Sequence, residues 1–311
     1  MLLRDSGSSR PVSAKHARCY PFAILLLAAF AFPRLAGAGA WTQSPRQLYG
    51  RLSYAWLDSR TRFDAQGNRI GLEEPGQPAR DTEYRDREVR AYIEYGVAER
   101  LTAYGSFAYK RLQVVEPTLF LPRRVIPEAI HRTSGVGDFY LGGRVGVVRG
   151  SRPLSVTSEI KIPTGYSART YPSLGTGKAD ATFRVLAGAS AGWGYATLDA
   201  GWSYRGGSYQ NELLYSFELG GRILQRYYSW RGVVRGVRSL GEPPTRPGAA
   251  AFDPNLASPR AHTLDVIIGA QVLPSLDLEA GMSHVLSGHN SLAGTTFEIG
   301  MAWSPRMRHG P

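Results

Sequence analysis

The residues with the most obvious chemical potential lie in "MSHVLSGHNSLAG" (Met282 to Gly294), which gathers His284, Ser287, His289 and Ser291. A histidine can take the proton of a serine hydroxyl and turn it into a nucleophile, so acyl hydrolysis is the first reaction to weigh. That chemistry also needs a group to orient the histidine, and the stretch holds no aspartate or glutamate. Metal chemistry has less support. The histidines are scattered, the single cysteine is Cys19, and no ligand spacing recurs. "GTGKAD" (Gly175 to Asp180) contains glycines and a lysine, but not at the spacing of a phosphate-cradling loop. No catalytic or metal-ligating set and no cofactor is assigned.

What remains is electrostatic chemistry, and it is periodic. In "ELLYSFELGGR" the residues Leu213, Tyr215, Phe217 and Leu219 fall on one face of a strand, opposite Glu212, Ser216, Glu218 and Arg222. In "LDLEAGMSH", Leu276, Leu278 and Met282 oppose Asp277 and Glu279; in "LSVTSEIKI", Val156, Ile160 and Ile162 oppose Glu159 and Lys161. "FEIGMAW" sets Phe297, Ile299, Met301 and Trp303 against Glu298. The same period puts Arg144, Arg184, Asp199, Arg231 and Arg235 on charged faces.

These faces must be carried by strands, and two-residue alternation gives twelve: 47–57, 87–96, 100–110, 137–148, 153–162, 180–189, 194–205, 211–222, 226–237, 261–272, 275–285 and 294–303. The connections alternate in length. Short ones fall at "VAER", "RGSR", Gly192, "LQR" and "LPS"; the others, mostly long, fall at 58–86, 111–136, 163–179, 206–210, 238–260 and 286–293. A soluble sandwich would turn its charged faces to water and has no reason to sort its connections this way. A barrel crossing a membrane does, with short turns at one end and longer loops at the other. Aromatics near strand ends fit interfacial girdles: Tyr95, Trp193, Tyr228 and Trp303 at the short-turn end, Trp56, Tyr109, Trp202 and Tyr204 at the other.

The expected fold is therefore all-β, a twelve-stranded antiparallel transmembrane β-barrel. The candidate lumen lining is Arg144, Glu159, Lys161, Arg184, Asp199, Glu218, Arg231, Arg235, Asp277, Glu279 and Glu298. Charges of both signs facing one another predict a constricted interior rather than a wide aqueous pore. Twelve strands lie between the roughly eight that make a side-chain-filled barrel and the 16–18 of an open channel. Within the loop stretch "EPTLFLPRRVIPEAI", Leu119, Phe120 and Leu121 are too apolar to sit in water as a cluster. Two placements are open to them: folded into the mouth of the barrel as an entry site, or packed against neighbouring loops.

The N-terminus supplies a route to a membrane. Arg4, Arg10, Lys15 and Arg18 precede "PFAILLLAAFAF", and "LAGAGA" ends in small residues, the pattern of a cleaved export signal over 1–40 ahead of a barrel domain over 41–311. Cleavage removes five basic residues (the four above and Arg34) and Asp5, taking the formal charge from +12 to +8. It also removes Cys19, so the exported chain needs no disulfides. The basic excess lies in the connections, at Arg60, Arg62, Arg69 and Arg80 and at Arg111, Arg123, Arg124 and Arg132. No nucleic-acid motif accompanies it, so nucleic acid is not an expected partner. The partners expected are outer-membrane lipid and lipopolysaccharide, a small-molecule solute, and the barrel-assembly machinery that reads a terminal strand such as "FEIGMAW".

Three motifs, "GVGDFYLGGR" (Gly135 to Arg144), "KIPTG" (Lys161 to Gly165) and "LGTGKAD" (Leu174 to Asp180), carry a resemblance. Their order and spacing resemble the outer-membrane barrel family associated with the meta-pathway of phenol degradation, a relative of fatty-acid and aromatic-hydrocarbon transporters. The resemblance implies permeation or uptake of small, often apolar, molecules and no enzymatic role. Asp138 and Asp180 in these motifs read most simply as turn caps or ion-pair partners. One departure stands out. The first strand begins within a few residues of Trp41, which argues against an N-terminal plug. A structural or adhesive barrel is the alternative. A lipid hydrolase built on Ser287 and its histidines is weaker, because the order differs from the His-x-Ser-Asn pattern of such barrels.

Overall fold

The computed structural model describes residues 39–73, 80–192, 194–224, 227–241, 252–257 and 259–305. Most of the expected export signal and Trp193 lie outside these residues. Twelve strands form one ring: β1 (Leu48–Ser59), β2 (Glu83–Ala98), β3 (Leu101–Glu116), β4 (Ala129–Val148), β5 (Leu154–Ile162), β6 (Asp180–Ala191), β7 (Gly194–Arg205), β8 (Glu212–Ile223), β9 (Tyr228–Ser239), β10 (Arg260–Leu273), β11 (Leu276–His289) and β12 (Thr295–Trp303). Each strand pairs antiparallel with its sequence neighbours, and β1 pairs with β12 from Gly50–Trp303 to Leu57–Thr296, which shuts the ring. Closure satisfies every strand edge internally, as a wall surrounded by lipid requires. The twelve expected strands are all present.

The faces fall as an inside-out protein requires. Leu213, Tyr215, Phe217 and Leu219 are exposed on the outer surface, as are Phe297, Ile299, Met301 and Trp303. Their alternate neighbours, the charged residues, turn inward and are buried or half-buried. Outside, aromatic rings pack along the wall, with Trp56 stacked on Phe297 at 5.8 Å and Phe107 against Phe139 at 5.3 Å. A closed barrel with an apolar exterior and a charged interior is a transmembrane barrel.

Four strands, β2, β3, β4 and β11, run at least four residues farther toward the long-loop end than alternation alone suggests. β2, β3 and β4 begin or end at Glu83, Glu116 and Ala129, so the expected 111–136 loop shrinks to 117–128. The reason there is an inversion of polarity. Up to Tyr109, β3 points apolar residues outward and polar ones such as Lys110 inward. Beyond it, Arg111 and Gln113 point outward while Leu112 (0% exposed) and Val114 (1%) point inward. The strand has left the lipid and become an ordinary water-facing ribbon with its own core. Arg111 and Arg132 therefore sit on strands and not in the loop.

Two small sheets lie beyond the wall. Thr61–Phe63 pairs with Arg69–Gly71 and with Ser291–Ala293, and Leu119–Leu121 pairs with Arg124–Ile126 in a self-contained hairpin. On that hairpin Phe120 is 76% exposed and faces exposed Val125. The apolar residues that could have folded into the mouth are instead at the tip of a projecting ribbon, because each strand of the hairpin finds its backbone partner in the other.

The outward face gives a direct test of the membrane assignment. Leu198, mid-strand in β7, is 58% exposed. In water, replacing such a residue shifts stability by no more than about 0.5 kcal/mol. Facing lipid near the bilayer centre, Leu198→Arg is expected to destabilise the barrel by about 2–4 kcal/mol, measured by denaturant unfolding from lipid vesicles.

Candidate functional site

The interior is built from paired charges that reach across the ring. Arg51 on β1 donates from Nε to Glu279 of β11 at 2.7 Å and from Nη2 to Glu298 of β12. Arg231 of β9 also reaches Glu279, at 3.3 Å, and Arg222 of β8 meets Asp277 at 2.5 Å. Glu298 lies on the strand paired with β1, but Arg51–Glu279, Arg231–Glu279 and Arg222–Asp277 join strands that are not neighbours, so those contacts pass through the lumen. Arg184 bonds Asp199 at 2.7 Å, Asp199 also accepts from Ser216, and Arg235 meets Asp265 at 2.8 Å. Glu218 accepts from the Tyr195 hydroxyl, and Glu159 lies in the field of Arg184. Lumen tyrosines add bulk. Tyr104 and Tyr195 lie over Gly142 and Gly220, where an added Cβ would stand 2.4 Å from Tyr104 Cζ and 2.5 Å from the Tyr195 hydroxyl oxygen.

At the short-turn end the lumen receives a strap. Residues 39–47 run along the opening before β1 begins. Trp41 donates its indole N–H to the Gly150 carbonyl at 3.1 Å and packs edge-on against Tyr195. Gln43 donates from its backbone N–H to the Thr102 hydroxyl at 2.8 Å and from its amide to Glu94 at 2.7 Å. Arg144, clamped to Glu94 at 3.1 Å, donates to the Trp41 carbonyl at 2.8 Å. Two glycines make the fit possible. A Cβ on Gly96 would stand 1.9 Å from the Ser44 carbonyl oxygen, and one on Gly188 would stand 2.8 Å from the Trp41 ring. The nine residues ahead of β1 thus line the inner rim of the short-turn end, from β7 round to β2. They make no regular secondary structure, so no periodicity announces them.

At the long-loop end, three connections fold into the mouth. Leu72, Leu174, Phe252 and Ala257 pack on the inward residues Tyr84, Leu112 and Val114. The Arg62 guanidinium covers the Phe252 ring at 4.9 Å. This is the apolar mouth, and Leu119, Phe120 and Leu121 are not part of it.

The three family-like motifs converge beside this cluster. Lys161 contacts Asp180 at 2.5 Å, Asp138 at 3.7 Å and the Thr176 hydroxyl at 2.9 Å. Asp180 also accepts from the Gly206 N–H at 2.9 Å and lies 3.7 Å from Arg205, which bonds Glu212 at 2.6 Å. Tyr166, in loop 163–179, donates to Asp138, and burial together with that bond pushes its hydroxyl pKa upward. Leu174 seats over Gly135, where a Cβ would be 3.1 Å away. Lys161 and its partners are each less than a tenth exposed, so they serve to pin the loop into the barrel.

The serine–histidine stretch is dispersed. Ser287 meets His262 at 3.0 Å, and the other ring nitrogen of His262 meets the Tyr215 hydroxyl at 2.6 Å. His284 instead bonds Thr295 at 2.7 Å. A groove of about 840 Å³ lies mainly on the outer wall, lined by Val145, Val156, Phe183, Val185, Trp202 and Leu213. These lining residues belong to the outward apolar face of the wall.

No family model matches the chain, and no curated protein does. Among solved structures, an outer-membrane channel of Pseudomonas putida F1 matches with a TM-score of 0.62 at 14% identity, over 88% of this chain and 100% of that one. The translocator domain of the autotransporter NalP from Neisseria meningitidis matches at 0.46 and 13% identity, over 82% of this chain and 88% of that one. The toluene transporter TodX of P. putida matches at 0.45 and 9% identity, over 86% and 92%. The first of these shows a shared barrel fold.

Removing one partner of a buried charge cluster leaves the others uncompensated. Lys161→Met is expected to destabilise the barrel by about 3–5 kcal/mol, with Lys161→Arg recovering most of that, read from urea midpoints of refolded protein.

Proposed function

We propose that the protein is an outer-membrane channel that lets small, apolar or aromatic solutes cross. Short turns and the strap face the periplasm and long loops face outside on this reading, and residues 1–40 act as the export signal. The observation that carries it is the sequence of environments along the barrel axis. An apolar mouth of Leu72, Leu174 and Phe252 is followed by a lumen lined with paired charges, and then by the strap. The mouth offers an apolar solute a dry site off the water phase, while the paired charges below give no single-sign field that would concentrate one kind of ion. Membership of the phenol-pathway family belongs to the same proposal, supported by the convergence of its three motifs on Lys161. Phenol itself has no support as the substrate.

Two other readings make different predictions. A structural or adhesive barrel would give neither current nor uptake. A surface lipid hydrolase is favoured only by the Tyr215–His262–Ser287 contact on the outer wall. Ser287→Ala would abolish lipid hydrolysis by the refolded protein if that reading were right.

Reconstituted in vesicles, the protein is expected to take up small aromatic solutes faster than charged solutes of equal size. Replacing Phe252 by aspartate should slow that uptake. The paired change Trp41→Ala/Gln43→Ala should raise planar-bilayer conductance by loosening the strap. Absence of any current or uptake in either form would leave the structural barrel as the better reading.

A further inference from the structure

The charges on the outer wall are distributed unevenly. Among outward strand positions of the described residues, charge occurs only at the long-loop end: Asp58, Glu83, Arg85, Arg87, Arg111, Arg132, Arg238 and Arg260. The outward positions at the short-turn end, such as Val97, Leu101, Val147, Ile223 and Leu278, are uncharged. The excess at the long-loop end is basic.

Four of these arginines form one patch across β2, β3 and β4. Arg87 stands directly opposite Arg111, and Arg85 opposite Gln113, which in turn stands opposite Arg132. Trp56 is the register neighbour of Arg87, and Tyr109 lies one outward position below Arg111. The patch is therefore level with the aromatic belt, where headgroups lie. Like charges placed directly opposite on a sheet repel. Arg87 is held by both carboxylate oxygens of Asp58 at 2.7 and 2.8 Å, and Arg85 by Glu83 at 3.0 Å. Arg111 and Arg132 are exposed and make no hydrogen bond or ion pair among the described residues. The same arrangement recurs across the barrel, where exposed Arg238 stands opposite exposed Arg260.

We propose that Arg85, Arg87, Arg111 and Arg132 form a binding site for the phosphate of an anionic glycolipid headgroup in the leaflet at the long-loop end. Forked guanidinium groups suit a phosphate better than a point charge would, because two parallel N–H bonds can reach two oxygens. The phosphate takes the place beside Arg111 and Arg132 that no carboxylate among the described residues fills, with Arg85 and Arg87 flanking it, and acyl chains continue down the apolar wall past Tyr109, Phe107 and Phe139. The inference rests on the membrane orientation proposed above but not on solute passage.

The test uses the refolded full chain in detergent with three probes: diphosphorylated lipid A, the same lipid stripped of phosphate, and inorganic phosphate. Each arginine near an anionic lipid surface contributes roughly fivefold to binding, so Arg87→Gln/Arg111→Gln/Arg132→Gln should bind the phosphorylated lipid about 100-fold more weakly. Arg111→Gln alone, an exposed change that leaves the fold intact, should weaken it about fivefold. Arg152→Gln, in a short turn, should have no effect. Conductance of the variants should stay at the wild-type level, which separates failure of this site from failure of the channel reading. Wild-type binding by the arginine variants, equal binding of the dephosphorylated lipid, or displacement of the lipid by millimolar inorganic phosphate would each overturn the proposal.

Discussion

Everything in this molecule depends on the pairing of β1 with β12. A strand in lipid has no water to satisfy its edge, so the wall is stable only as a ring. Arg51 stands beside that junction and ties β1 to Glu298 on β12 and to Glu279 one strand farther on. Once the ring is closed, side chains have only two places to go. The apolar set must face lipid, and the charged set must find partners within the lumen or leave charges buried without compensation. The salt-bridge ladder through Arg222, Arg231 and Arg235 is the consequence.

Twelve strands enclose more space than their own inward side chains fill, and the chain supplies the rest from its connections. The two ends are packed with different chemistry. The strap at the short-turn end is held by polar bonds to Glu94, Thr102 and Arg144, whereas the long-loop end is packed by apolar residues and fastened by one lysine between two aspartates. An apolar mouth over a charge-paired interior is the arrangement on which the proposed passage of small apolar molecules depends.

Much of the fold was legible because alternation with period two is a direct image of a wall with two different faces. The limits of legibility have physical causes too. Alternation in β3 continues past Tyr109 but with its polarity reversed, and a reversed pattern reads as the end of a strand. Leu119, Phe120 and Leu121 look like a mouth because they are apolar and contiguous, yet their hairpin pairs with itself. The true mouth uses single apolar residues, Leu72, Leu174 and Phe252, isolated in polar loops far apart in sequence. The strap has no period at all; its only trace is a pair of glycines, Gly96 and Gly188, whose purpose appears once the backbone is in place. The motif residues Asp138, Lys161 and Asp180 could be read as ion-pair partners, but not that they share one site. Ser287 was visible as a candidate nucleophile, while the histidine it meets, His262, lies on the preceding strand.

The central claim is that the apolar face meets lipid and the charged face does not. Cys19 is the only cysteine in the sequence, so single-cysteine variants of the barrel can carry one fluorophore each on a chain cleaved of, or made without, that residue. Probes at Leu213, Phe217, Ile299 and Leu198, compared with Ser216, Glu218 and Thr197, in vesicles of brominated lipid give the most direct reading. The account predicts strong quenching at the first four positions, weak quenching at the last three, and an alternation along β8 from residue to residue. Uniform quenching along β8, or strong quenching at Glu218 with none at Phe217, would contradict it.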